Sequence, residues 1–405
     1  MVPADEVAPR RPPPLRLRRR LVALGVGAAA VILFRVLQDR PDLAEAALSQ
    51  GILPAFVRSL SLVTGLVPFA VAELVVLGVV GLGVVGLVRG VREVRRGADR
   101  WPRAALRGGL RLGHDVGILV ALLVVLWGLQ HARPGLEHRL GIEVAGQADV
   151  EELAPLAAAA VRSANELYLE IHGTRDAGTP TAAPQRDEIH GELDRAWEEV
   201  VARYRLPPRA TLSHGPPKPF LLTPVVRRFG VAGMYFPFTG EALLLSDLPG
   251  VLMPKEMAHE MAHQRGFASE SDANVLAFLV TREAHDSRIR YAGYVFLQRQ
   301  LLGAVAHLDP ERAQAIAAGR HPGVTRDLED RNRYWEAARG WTRQVGVGLN
   351  HAMLRAHGVP DGIASYQGST WVFVALARQE GLQALLPPGA VADSAVAHPE
   401  TGGLP

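Results

Sequence analysis

Residues 254–274 read PKEMAHEMAHQRGFASESDAN, and the reading of this stretch governs that of the whole chain. Proline is favoured in the first turn of a helix, so Pro254 opens one expected over 254–265. His259 and His263 are four residues apart, so both imidazoles leave the same helical face and can share one metal ion. Glu260 sits beside the first of them. From there its carboxylate can take a proton from an attacking water and pass it to a leaving amine. Gly266 lets the helix end and the chain turn.

Ser269 and Asp272 fit a capping box that opens a second helix, expected over 270–285. Glu270 then lies in its first turn, where it can return as a third ligand. Asn274, one turn later on the same face, is placed to orient a ligand by hydrogen bonding. Asp272 points elsewhere and reads as the cap. Glu283 is also far enough along to be a ligand, but between Arg282 and His285 it reads better as a solvated acid. The chain has no cysteine, which excludes disulfides and thiolate zinc sites. The expected set is therefore His259, His263 and Glu270 around Zn2+, with Glu260 as general base. Zinc brings the pKa of a bound water down toward ~7, making hydroxide available at neutral pH.

Upstream, residues 229–245 (FGVAGMYFPFTGEALLL) place aromatic and branched residues on both sides of Thr239-Gly240, the pattern of a β-hairpin. The part from Met234 to Glu241 can serve as an edge strand for an extended substrate, or simply as a core hairpin. Further helices are expected over 150–172, 186–204, 288–306, 310–318, 325–357 and 366–380. Tyr366 and His351 are candidates for the donor that a developing oxyanion needs, although packing is the commoner use of such residues. Residues 386–405, rich in Pro, Gly and Ala, read as a disordered tail.

The first third of the chain has a different character. Residues 21–37, 69–88 and 113–130 are apolar enough to cross a bilayer core of ~30 Å. Residues 51–66, interrupted by Pro54 and Arg58, fit an interfacial or half-inserted segment better. The net charge of +3 conceals an asymmetry, because Arg clusters in the N-terminal 20 residues and between Arg89 and Arg111. Positive charge flanking spans sets their orientation, so these stretches are expected in the cytoplasm and everything after about residue 131 outside the cell. Nucleic acid is the weaker explanation of that charge. Arg35 and Glu73 fall at similar depth on neighbouring spans and are expected either to pair or to reach separately for the interface.

The motif segment resembles an uncharacterised bacterial multi-pass membrane family, a domain of unknown function with a zincin-like core. The resemblance rests on His259 to Phe267 and Glu270 to Asn274. It extends to LVTGLVPFAVAEL at 62–74, GMYFPFTGEA at 233–242 and RYAGY at 290–294, with a weaker match in ASYQGS at 364–369. It implies a membrane-anchored metallopeptidase of the Glu-ligand type and supplies no substrate.

The expected fold class is thus mainly α. A membrane region of three transmembrane helices (1–131) precedes a mostly helical, zincin-like α+β extracytoplasmic domain with a small sheet (132–385). The expected partners are the lipid bilayer and a peptide or protein substrate. A sensor or interaction domain, and a fold-stabilising zinc site, are the competing functions. Glu260 argues against the last, since a structural site has no use for a neighbouring base.

Overall fold

Three helices of the computed structural model are long and apolar enough to span a membrane: Leu17–Gln38, Val71–Arg95 and Trp101–Leu126. The structure describes residues 15–49, 52–97, 99–143, 148–173, 176–356 and 368–389. The second helix has only 11% of its apolar window buried inside the protein, so its surface requires lipid around it. The third ends at Leu126, and a 3-10 turn, Gly128–Ala132, takes over the last residues of the predicted span. The first and third helices cross with their backbones in contact. A Cβ on Gly27 would lie 2.7 Å from the Gly117 carbonyl oxygen, and one on Gly117 would lie 2.6 Å from that of Ala23. Small residues permit such approaches where no water drives association.

The expected pairing of Arg35 with Glu73 does not form. Arg35 donates to Gln38 Oε1 at 3.1 Å. Glu73 accepts the backbone N–H groups of Leu221 and Leu222 at 2.6 and 2.9 Å. In the first turn of its helix, its carboxylate lies within reach of a loop of the globular domain. Two main-chain donors there outcompete a distant guanidinium.

The segment predicted to be interfacial forms a helix, Ile52–Gly65, that lies against the globular domain. Ser61 Oγ donates to the Gly240 carbonyl at 2.6 Å and Thr64 Oγ1 to that of Thr239 at 3.2 Å. Its other side leaves Phe56, Leu62 and Val63 exposed.

The globular domain is helical around a small mixed sheet. Strands β1 (Lys218–Pro219), β2 (Gly233–Phe236) and β3 (Glu241–Leu244) lie in the order β1-β3-β2. β1 runs parallel to β3, and β2 pairs antiparallel with it, Gly233 opposite Leu244 and Phe236 opposite Glu241. This is the predicted hairpin, turned at Gly240 with φ +68°. Helix Glu270–Glu283 is buried from Asp272 to Arg282 and forms the axis of the core. Helices Val150–His172, Arg186–Arg203, Ser287–Leu308 and Gly368–Glu380 also contribute to that core. The single helix expected over 325–357 is two, Pro322–Glu336 and Trp341–Ala356. The break falls before Gly340, whose φ of +155° no helix accommodates.

Membrane helices and sheet are joined by one carboxylate. Glu241 is 3% exposed. It accepts from the backbone of Val71 (3.0 Å) and Ala72 (2.7 Å), from Thr239 Oγ1 (2.8 Å) and from Lys218 Nζ (2.7 Å). Lys218 also donates to the carbonyls of Thr64 and Phe69. Negative charge at the start of a helix is favourable, and here it also neutralises a buried ammonium. Glu241→Ala would strand Lys218 and is expected to destabilise the protein by about 3–5 kcal/mol. Thermal unfolding of the full chain in detergent checks this. Glu151→Ala, on an exposed helix start, should stay within about 0.5 kcal/mol.

Candidate metal centre

The predicted motif helix runs from Met253 to Gln264 and packs beneath β2 and β3. Pro254 stands in its first turn, as the sequence implies. Gly266, at φ +88°, reverses the chain after it, and Ser269 caps the helix that carries Glu270, accepting from Asp272 N at 3.3 Å. These two turns bring His259, His263 and Glu270 together, with one potential ligand atom of each within 4.8 Å of the others. Glu270 Oε2 lies 3.2 Å from His259 Nε2 and 3.8 Å from His263 Nε2. His263 Nδ1 is 2.8 Å from the Phe267 carbonyl. That acceptor holds a proton on Nδ1, so Nε2 is the nitrogen that faces Glu270 and that would meet an ion once it had given up its own proton.

Electrostatics reflect three groups buried together. Burial works against the charged form of Glu270, yet hydrogen bonds from both histidines hold its carboxyl well below the usual range. Burial likewise opposes a proton on His263, but the hydrogen bond and charge of Glu270 prevail and raise it to about 9. His259 is held below its ordinary value by burial and by the nearby Lys255 ammonium. Burial pushes Glu260 up to about 8. Its Oε2 is buried without a hydrogen-bond partner, as is His259 Nδ1. A buried polar oxygen left open is unusual and points to a missing partner. Three convergent nitrogen and oxygen donors beside an unsatisfied carboxylate fit a divalent ion with an accessible position.

Not every predicted neighbour belongs to the cluster. Asn274 Oδ1 accepts from Lys255 Nζ at 2.8 Å instead of orienting a ligand. Lys255 lies one turn before His259 with its side chain buried, and its ammonium must find acceptors. Asp272 meets the Ser269 cap of its own helix, and its Oδ2 also accepts from Leu136 N at 3.1 Å, serving the short helix Leu136–Leu140. Glu283 lies at the far end of its helix, paired with Arg282 and near Arg203. His351 sits half-buried on helix Trp341–Ala356, and Tyr366 lies outside the described residues.

Sequence reasoning missed three neighbours. The indole of Trp127 meets the His263 ring edge-to-face at 5.3 Å and packs on Tyr235 of β2 at 5.0 Å. Its signal was a lone Trp closing an apolar span. Gly233 in β2 lies so close to Glu260 that a Cβ there would be 2.6 Å from Oε1. Gln264 Nε2 donates at 3.1 Å to the Gly240 carbonyl that also receives Ser61.

A helical membrane protein with a buried His-His-Glu centre is the class that fold and site define. The chain belongs to a family described as a protein of unknown function, DUF3810, which matches residues 48–372. No curated protein and no solved structure matches it. The matched region includes the hairpin, both cluster helices and the juxtamembrane helix, so the joint between them lies within the family's domain.

A cavity of about 340 Å³ adjoins His263, between Trp127, Tyr235 and the juxtamembrane helix. His214 lines it, and burial pushes that imidazole down to about 4. An unfolded histidine titrates near 6.5. Below that pH the unfolded chain gains a proton that the folded one refuses. This contribution to stability is therefore full above about pH 6.5 and is lost as pH falls toward 4, up to about 3 kcal/mol. Unfolding midpoints measured from pH 7.5 to 4.5 should fall less steeply in His214→Asn than in wild type.

Proposed function

We propose that the protein is a membrane-anchored zinc peptidase whose catalytic domain lies outside the cytoplasm. The observation that carries this reading is the convergence of His259, His263 and Glu270 beside Glu260, a buried acid with an unsatisfied oxygen. His259, His263 and Glu270 would hold the ion, which when bound supplies Lewis acidity and acidifies water. Glu260 acts as base toward the attacking water and then as acid toward the leaving amine. A pKa raised by burial suits a group that must both take and release a proton near neutral pH.

The choice of a peptide bond rests on β2. Among the described residues it pairs only with β3, at one end of the sheet, so its other side offers backbone donors and acceptors to an extended chain. Gly233 brings that strand against Glu260, and a substrate lying along it would meet the base directly. The orientation rests on charge. The arginines between Arg89 and Arg111 lie at the ends of the second and third helices remote from the domain. The positive-inside tendency puts those ends in the cytoplasm.

The test compares purified wild type with Glu260→Gln for zinc content and for cleavage of quenched-fluorescent casein. Equal zinc with cleavage reduced about 10²–10⁴-fold is expected, the usual contribution of general acid–base catalysis. Equal cleavage by both would remove Glu260 from the mechanism. His263→Ala and Glu270→Ala should each weaken zinc binding by more than about 100-fold, beyond what loss of an outer hydrogen bond does. Gly233→Ala should keep zinc and lose cleavage, because its methyl group would displace the Glu260 carboxylate; unchanged turnover would separate β2 from the chemistry.

A further inference from the structure

The metal centre is unusually close to the membrane helices. Trp127, whose ring touches His263, directly follows Leu126, the last residue of the third apolar helix. Arg133, just beyond, donates to the Gly266 carbonyl at 3.2 Å, at the turn leaving the motif helix. On another side, the Gly240 carbonyl accepts from both Gln264 of the motif helix and Ser61 of the juxtamembrane helix. The cluster is therefore fastened at two points to elements at the membrane boundary, with no intervening layer of domain.

The cavity beside His263 opens at that same level. Its walls are Ala55 and Arg58 of the juxtamembrane helix, Trp127 at the end of the span, and Tyr235 of β2. The helix that forms one wall keeps an apolar exposed side along its length: Phe56 is 48% exposed and Val63 65%, and Leu66 just after it 84%. Such side chains continue the lipid-facing surface of the spans, and an indole at a span end is a common interfacial anchor. Arg58, on the cavity wall, donates to the Ser213 carbonyl at 3.3 Å.

We infer that the substrate is itself a membrane-anchored polypeptide, cut in the extended segment immediately outside its span. This rests on the peptidase reading and narrows it. A chain emerging from the bilayer beside Trp127 enters the cavity and reaches both His263 and the open side of β2. The ring separation of 5.3 Å between Trp127 and His263 is shorter than two extended residues at about 3.3 Å each. Bonds within about five residues of the substrate's span are thus accessible, while bonds far from the surface gain nothing from this placement. An extended polypeptide accounts for the open strand edge next to Glu260; a lipid would leave those backbone groups unmatched.

The experiment uses the zinc-loaded full chain in phosphatidylcholine vesicles. The probe is a quenched-fluorescent, mixed-sequence peptide segment fused to a Leu/Ala helix of about 20 residues. One form joins the segment directly to the anchor. A second inserts about 20 Gly/Ser residues between them, so that the segment samples solution. Cleavage at least tenfold faster in the direct form, at bonds within about five residues of the anchor, is the expected result. Equal rates, or faster cutting with the spacer, would overturn the inference. Binding is read independently of turnover on zinc-loaded Glu260→Gln carrying a photo-crosslinking residue in place of Ser59, which lines the cavity from helix Ile52–Gly65. Crosslinks to the direct form in clear excess over the spaced form are expected. Crosslinks to lipid alone, or equally to both peptides, would overturn it. Should wild type cut neither form while the crosslinking preference persists, the hydrolase reading fails and the juxtamembrane binding surface stands.

Discussion

The Glu241 carboxylate is the point on which this architecture turns. It sits at the start of strand β3, yet its oxygens serve the beginning of the second membrane helix and the ammonium of Lys218. Lys218 in turn draws in the carbonyls that close the juxtamembrane helix and the loop after it. Each partner alone would be expensive to bury. Together they satisfy one another, and so tie the sheet to the start of the second apolar helix. Because the motif helix packs beneath that sheet, the same placement sets the His-His-Glu cluster close to the ends of the apolar helices.

This joint explains two segments whose character is otherwise puzzling. LVTGLVPFAVAEL at 62–74 contains a Thr, a Pro and a Glu within an apolar run, and GMYFPFTGEA at 233–242 contains an acid at a strand start. Thr64 and Glu73 from the first, and Thr239, Gly240 and Glu241 from the second, are among the residues that make the contacts between membrane region and domain. The close approach at Gly240 requires glycine twice over. Its φ is positive, and a Cβ would stand 2.7 Å from Ser61 Oγ.

The cluster itself combines stability with incompleteness. Its two imidazoles are buried and both face the half-buried Glu270 carboxylate, at 3.2 and 3.8 Å, so the three groups already converge in the folded chain. Glu260, in contrast, is held against Gly233 with one oxygen unmatched. Proteins ordinarily avoid such a group, and when one is retained in a wall between a donor cluster and an open strand edge, function is the usual reason. Burial disfavours a proton on His259, and the neighbouring Lys255 ammonium, bound to Asn274 one turn away, adds to that.

What the sequence determined by itself were features whose physics is local. Helical periodicity put His259 and His263 on one face, Gly266 and Ser269 dictated the turn that returns Glu270, and Thr239-Gly240 set the hairpin. Apolar length alone marked the three spans. Tertiary structure decided everything that depends on which surfaces meet. Asn274 and Asp272 have acceptors and donors that any nearby group can claim, and the fold awarded them to Lys255 and Leu136. Glu73 was legible as a charge near a span end, but its two backbone donors come from residues almost 150 positions away. The place of Trp127 against His263 likewise follows from long-range packing, which no spacing along the chain encodes. The reach of a side chain is a few ångströms, so a sequence fixes chemistry within a turn or two, and only the folded chain brings an apolar helix and the motif helix together.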